Sequence, residues 1–314
     1  MIQREPNTYA VKLTDVTLRV NEWPGNSDPV LLLHATGFHS RCWDSIARLL
    51  PNVHIYAVDV RFHGGSDRHG PVDWQLMARD IEELLDTLDL RQVVGVGHSM
   101  GGYIAAYLGA TQPGRFKQLL LIDPVIFHPD EFEKHFITVE PIDPADSPAS
   151  RRKNRWHDAK EMYQRFKHRA PFDSWQDQVL RDYCAYALRE VPGESAWQLA
   201  CDPLHEASIY LNHNGNEAIY ALLPKLTLPV TVMRAGQDPE DPFNFSGSPT
   251  WPGLVDALPN ARELYLPELS HFIPMEDPEL VAHVIQQAVD ENWDGDEKPH
   301  HRHSGPDPAS ICHT

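Results

Sequence analysis

The chain lacks the long apolar run that a membrane helix needs. Its 314 residues contain no unbroken apolar stretch of roughly 18, so no membrane span is expected. Cysteine is scarce as well. Cys42, Cys184, Cys201 and Cys312 lie far apart with no C-x-x-C pair, which argues against a disulfide-stapled fold and reads as free thiols in a reducing compartment. The opening residues MIQREPNTYAVKL carry charge early and no apolar core, so they are not read as a signal peptide. The expected location is the cytoplasm. Positive charge is in deficit: 27 Lys and Arg face 45 Asp and Glu, a formal net charge of −18. Such a surface repels phosphates, so neither nucleic acid nor an anionic membrane is an expected partner. No metal, nucleotide or flavin motif occurs, and no cofactor is expected. His300, His301 and His303 lie in DGDEKPHHRHSGPDPASICHT, a stretch with almost nothing apolar to hold a metal site rigid. Residues 296–314 read as a disordered tail.

What remains is an alternation of strands and helices. YAVKLTDVTLRVNEW reads as two antiparallel strands turning near Thr14 and Asp15. PVLLLH (29–34), HIYAVDV (54–60), FKQLLLID (116–123), PVTVMRAG (229–236) and RELYLPE (262–268) read as further strands. DWQLMARDIEELLDTLDL (73–90) places Leu76, Ile81, Leu84, Leu85 and Leu88 on one side of a helix. PELVAHVIQQAVDENW (278–293) closes with another, opened by Asp277 and Pro278. This order predicts an α/β fold, a mostly parallel, doubly wound sheet with its sites at the carboxyl ends of the strands.

Residues 124–225 break the alternation. They read as several helices inserted between two core strands, with a core made of 1–123 and 226–295. The expected role of the insertion is a helical cap over the strand ends, since ligands favour the crevice between such units.

The most informative stretch is VVGVGHSMGGYIAA (93–106). An apolar β-branched run enters it, an alanine-rich helix leaves it, and Gly97 and Gly101 flank Ser99 at minus two and plus two. That is the G-x-S-x-G spacing of a nucleophile elbow, where a strand turns straight into a helix and lifts a serine hydroxyl above the sheet. The start of the helix aims backbone N–H groups at whatever sits beside that serine.

Four motifs in order, HATGF (34–38), VDVRFHGGSD (58–67), GHSMGG (97–102) and LSHFIPMEDPE (269–279), make the sequence resemble the α/β-hydrolase fold family, in its cap-bearing esterase-like branch. The resemblance runs from about residue 10 to 293. It departs at His34-Ala35, where the family usually has His-Gly, and at Arg61-Phe62-His63-Gly64, where it commonly has R-G-H-G. The resemblance implies Ser99 as nucleophile and His271, in the loop before the closing helix, as its base. It implies backbone N–H groups of Thr36 and Met100 as the oxyanion hole. Arg61 and His63 are expected to brace the first motif's loop. The acid has two candidates, as the family places it after either of two strands. Asp123 ends LLLID at a strand's carboxyl end and is preferred; Asp238, in RAGQDPEDP beside Asp241, is the alternative.

The implied activity is hydrolysis of a carboxylic ester of a small, partly hydrophobic molecule through an acyl-enzyme. Lactone, amide or carbon–carbon bond cleavage and perhydrolysis would use the same residues. A small-molecule receptor that keeps the triad is the alternative from another class. The expected partner is the small ester-like substrate alone, with the protein a monomer or homodimer.

Overall fold

The computed structural model describes residues 4–138, 140–237 and 247–290. The tail expected at 296–314, and Asp238 with Asp241, lie outside these residues. The strands are β1 (Asn7–Lys12), β2 (Thr17–Trp23), β3 (Pro29–Leu33), β4 (His54–Asp59), β5 (Val93–His98) and β6 (Phe116–Ile122), then β10 (Val230–Ala235) and β11 (Ala261–Leu266). They form one sheet of eight in the order β1-β2-β4-β3-β5-β6-β10-β11. Pairing is parallel except β1 with β2 and β2 with β4.

The sheet is covered on both faces, and the strands show why. Along β3, Leu31 and Leu33 enter one apolar cluster while Val30 and Leu32 enter another, as the two-residue repeat of a strand requires. On the first face pack α2 (Trp74–Thr87), capped by the Asp73 side chain, and α3 (Met100–Thr111). Ile81, Leu84 and Leu85 of α2 are buried there, each contributing about 1.5–3 kcal/mol. On the second face pack α1 (Asp44–Leu49) and α10 (Pro278–Asp290), with Ile46 and Ile285 buried. The helical pair of turns at 40–49 was not expected from the sequence; its apolar repeat is too short to register.

Between β6 and β10 lie α4 (Pro129–Phe132), β7 (Arg155–Trp156), α5 (Ala159–Phe166), α6 (Asp177–Tyr186), β8 (Leu188–Glu190), β9 (Trp197–Leu199), α7 (Pro203–Leu211) and α8 (Ala218–Leu222). The insertion is therefore not purely helical. β7, β9 and β8 form a small antiparallel sheet, and α6 stops at Tyr186, just before β8. Strands of two or three residues carry no readable alternation. The turn between β8 and β9 does have a signal, Pro192-Gly193, with Gly193 at φ +78°.

The insertion shares an apolar cluster with the core. Ala35, Phe38 and Phe272 pack with Trp156, Met162, Trp175, Val179, Leu180 and Tyr183. Polar ties add to this: Gln176 N–H donates to Met275 C=O (2.9 Å), and Trp74 Nε1–H to Ile209 C=O (3.1 Å). Among the described residues no helix is long and apolar enough to cross a membrane.

Candidate active site

Sheet register brings the first residues together. Leu33 of β3, Gly97 of β5 and Leu121 of β6 are level neighbours. Two residues further along each strand stand Ala35, Ser99 and Asp123, at one end of the sheet. Ser99 and Asp123 both adopt positive φ, +58° and +44°. A β-carbon makes that conformation strained, and such strain concentrates at functional positions. The Ser99 N–H is held by Ile122 C=O at 3.0 Å, which ties the elbow to the neighbouring strand. Ser99 precedes α3 directly. The glycines around it answer to close packing. A β-carbon on Gly97 would overlap the Gly101 carbonyl, and one on Gly101 would overlap the Leu33 carbonyl.

His271 follows β11 in the loop before α9 (Ile273–Glu276). Its Nε2 lies 2.9 Å from Ser99 Oγ and its Nδ1 lies 2.6 Å from Asp123 Oδ2. A carboxylate only accepts, so Nδ1 carries the proton and Nε2 is left to accept from the serine hydroxyl. All three side chains are buried. His98, beside the serine in sequence, donates its Nε2–H to the His271 C=O at 2.8 Å. Burial, with His271 nearby, holds the His98 pKa well below the usual histidine range.

The other oxygen of Asp123 is also surrounded by polar groups. Oδ1 accepts from Ala235 N–H (3.0 Å) and Ser248 Oγ–H (2.5 Å), and the Thr250 hydroxyl stands 3.3 Å away, with Pro124 C=O as its nearer acceptor at 2.8 Å. Ser248 and Thr250 were not foreseen. Their only trace in the sequence is a polar GSPT segment after β10.

The HATGF residues form a tight turn beside Ser99. Phe38 N–H donates to Ala35 C=O at 3.2 Å, and Gly37 has φ +80°, the pattern of a type II turn. His34 donates Nδ1–H to Ala35 C=O (2.8 Å) and accepts Val60 N–H at Nε2 (3.0 Å). His63 donates Nδ1–H to Arg61 C=O (2.9 Å) and accepts Gly37 N–H at Nε2 (3.0 Å). Burial pushes the pKa of both histidines down, so both stay neutral, as an accepting nitrogen demands. Arg61 forks onto Asp80, with two contacts of 2.7 Å. Thr36 Oγ1 lies 3.4 Å from Met100 Sδ, so the turn and the start of α3 meet. Neither Thr36 N–H nor Met100 N–H has an acceptor among the described residues. Aromatic rings close the surroundings: Phe38 stacks on His98, and Trp175 and Phe272 stand against Phe38.

The structure thus brings Ser99, His271, Asp123, Thr36 and Met100 to one place, while Asp238 lies outside the described residues. A serine, an imidazole and a carboxylate linked in series at the strand ends of a mostly parallel, two-faced sheet define an α/β protein of hydrolase architecture. The alpha/beta hydrolase family model matches residues 30–284, and the chain belongs to that family. Lipase LipV of Mycobacterium tuberculosis is 30% identical over 140 residues, covering 43% of this chain and 54% of the relative. Esterase YbfF of Escherichia coli is 31% identical over 125 residues, covering 39% and 49%. The chain therefore spans about half the length of these curated relatives. Among solved structures, E-2-(acetamidomethylene)succinate hydrolase superposes with a TM-score of 0.71 at 20% identity, covering 91% of this chain and all of the other. That likeness is one of fold.

Proposed function

We propose that the protein is a serine hydrolase that cleaves a carboxylic ester of a small, partly hydrophobic molecule through an acyl-enzyme. The observation that carries this is the hydrogen-bonded series Ser99–His271–Asp123, with its fixed tautomer and buried carboxylate. In this reading Ser99 Oγ attacks the ester carbonyl as its proton passes to His271 Nε2. Asp123 stabilises the resulting imidazolium and keeps the ring oriented. The negative oxygen of the tetrahedral intermediate takes the Thr36 and Met100 N–H groups, two buried donors with no acceptor among the described residues. Collapse of the intermediate releases the alcohol, which takes the proton back from Nε2. Water then repeats the sequence on the acyl-enzyme, and the acid leaves.

Residues 124–225 serve as the cap over this site, a reading supported by the aromatic cluster they share with Phe38 and Phe272. That cluster also favours an uncharged acyl group. The names of the relatives, a lipase and an esterase, agree with ester chemistry. Cys42, Cys184 and Cys201 are free and buried, which supports a cytoplasmic location.

The test is Ser99→Ala with a p-nitrophenyl ester series. Loss of the nucleophile lowers kcat by about 10⁴ to 10⁶, and a fluorophosphonate labels Ser99 in the parent only. Parent-like turnover in pure Ser99→Ala protein, or labelling elsewhere, would overturn the proposal.

A further inference from the structure

The turn at 35–38 raises a question its own sequence does not answer. Type I and type II turns differ by a flip of the central peptide, here the one joining Thr36 to Gly37. Glycine at the third position permits either state at little cost. Something outside the turn must select the observed one.

Both ends of that peptide are held by side chains. Its N–H donates to His63 Nε2 at 3.0 Å, from the core. Its C=O accepts from the Tyr210 hydroxyl at 3.3 Å, from α7 of the inserted segment. Because N–H and C=O of a trans peptide point oppositely, the two holds act from opposite sides. Tyr210 does not act alone. Glu206, four residues earlier and on the same face of α7, lies so close that a β-carbon on Gly37 would come within 2.5 Å of its Oε1. Both Glu206 oxygens accept from Arg152 Nη1, and Arg152 Nη2 lies 3.3 Å from the Tyr183 hydroxyl. The helix face that carries Tyr210 is therefore anchored. Burial, with Glu206 nearby, keeps the Tyr210 phenol protonated and so a donor.

Ala35 C=O, Thr36 C=O, Gly37 N–H and Phe38 N–H all have partners, and Thr36 N–H has no acceptor among the described residues. An oxyanion donor is effective only if it is aimed before charge develops. We infer that Tyr210 is a positioning residue of the inserted segment: by fixing the Thr36–Gly37 peptide from one side, its hydroxyl anchors the adjoining Ala35–Thr36 peptide, whose N–H, that of Thr36, must stay aimed at the oxyanion. This rests on the hydrolase reading above.

The experiment compares Tyr210→Phe, Ser99→Ala and the parent on p-nitrophenyl acetate. A trifluoromethyl ketone, which forms a tetrahedral adduct on a serine, serves as the oxyanion probe. Tyr210→Phe should lower kcat about tenfold and weaken the ketone about tenfold, while KM stays within twofold. If Ser99→Ala is inactive and Tyr210→Phe matches the parent in kcat and ketone affinity, this inference falls and the hydrolase reading stands. A lower melting temperature with unchanged kcat makes the hydroxyl merely structural, which also overturns it. If Ser99→Ala keeps the parent rate, both fall together.

Discussion

Replacing Asp123 by asparagine changes one atom and should disable the protein by a route visible in its surroundings. The three groups around Oδ1 differ in freedom. The Ser248 and Thr250 hydroxyls can rotate, but the Ala235 N–H at 3.0 Å points at Oδ1 and cannot turn away. An amide at 123 must therefore keep its oxygen in that cradle, because an NH2 there would face a fixed donor. Its NH2 is then directed at His271 Nδ1, where the carboxylate oxygen stood at 2.6 Å. Two donors cannot face each other, so the imidazole takes the other tautomer, with its proton on Nε2. That nitrogen lies 2.9 Å from Ser99 Oγ and can no longer accept the serine proton. The loss expected is about 10⁴ in kcat, the figure known for the equivalent change in a serine protease, or roughly 5.5 kcal/mol of barrier. Folding should be nearly unaffected, since every donor near position 123 keeps an acceptor. The assay is kcat on a p-nitrophenyl ester, with circular dichroism and a thermal melt on each variant. A rate within tenfold of the parent would refute the tautomer reasoning. An inactive Asp238→Asn beside an active Asp123→Asn would move the acid to the other candidate.

Two further outcomes follow from packing and from protonation. Gly97→Ala should cost more than about 3 kcal/mol, because its β-carbon meets backbone at Gly101 that cannot move aside; a melting temperature close to the parent's would contradict this. His213 is buried, donates Nε2–H to the Tyr210 C=O at 2.9 Å, and has its pKa pushed down to about 4 by burial. A folded pKa below the unfolded one, about 6.5, means the unfolded chain binds more protons between these values. Stability from this group is therefore lost as pH falls through that window, by about 2 kcal/mol at pH 5. His213→Gln should narrow its gap to the parent by that amount between pH 7 and pH 5 in urea unfolding, and parallel curves for the two proteins would count against it.

Much of the architecture was legible because it rests on local pattern. The β-branched run at 93–96, the glycines about Ser99 and the unbroken LLLID each announce a strand or its end, and the observed strands lie within one or two residues of the expected ones. The place of Asp123 beside His271 follows from register, since β6 runs level with β5 up to the residue before it. Contacts between distant residues leave no such pattern. Ser248 reaches Asp123 across 125 positions, and Tyr210 reaches Thr36 across 174. No periodicity marks a hydroxyl that will meet one particular oxygen. The small sheet in the insertion escaped notice for the opposite reason, as its strands are too short to show any repeat.

The position of β11 has a consequence for how the protein fails under heat. Among the described residues this strand lies at the border of the sheet and pairs only with β10, and it leaves Tyr265 well exposed. Border strands open at lower free energy than central ones, in excursions that leave the interior intact. Ser99 and Asp123 belong to the interior strands β5 and β6, whereas His271 hangs from β11. Fraying of one border therefore withdraws the imidazole from a scaffold that is otherwise whole. Heat inactivation will set in below the melting temperature and will reverse on cooling, and amide protons of β11 will exchange with solvent ahead of those in β5.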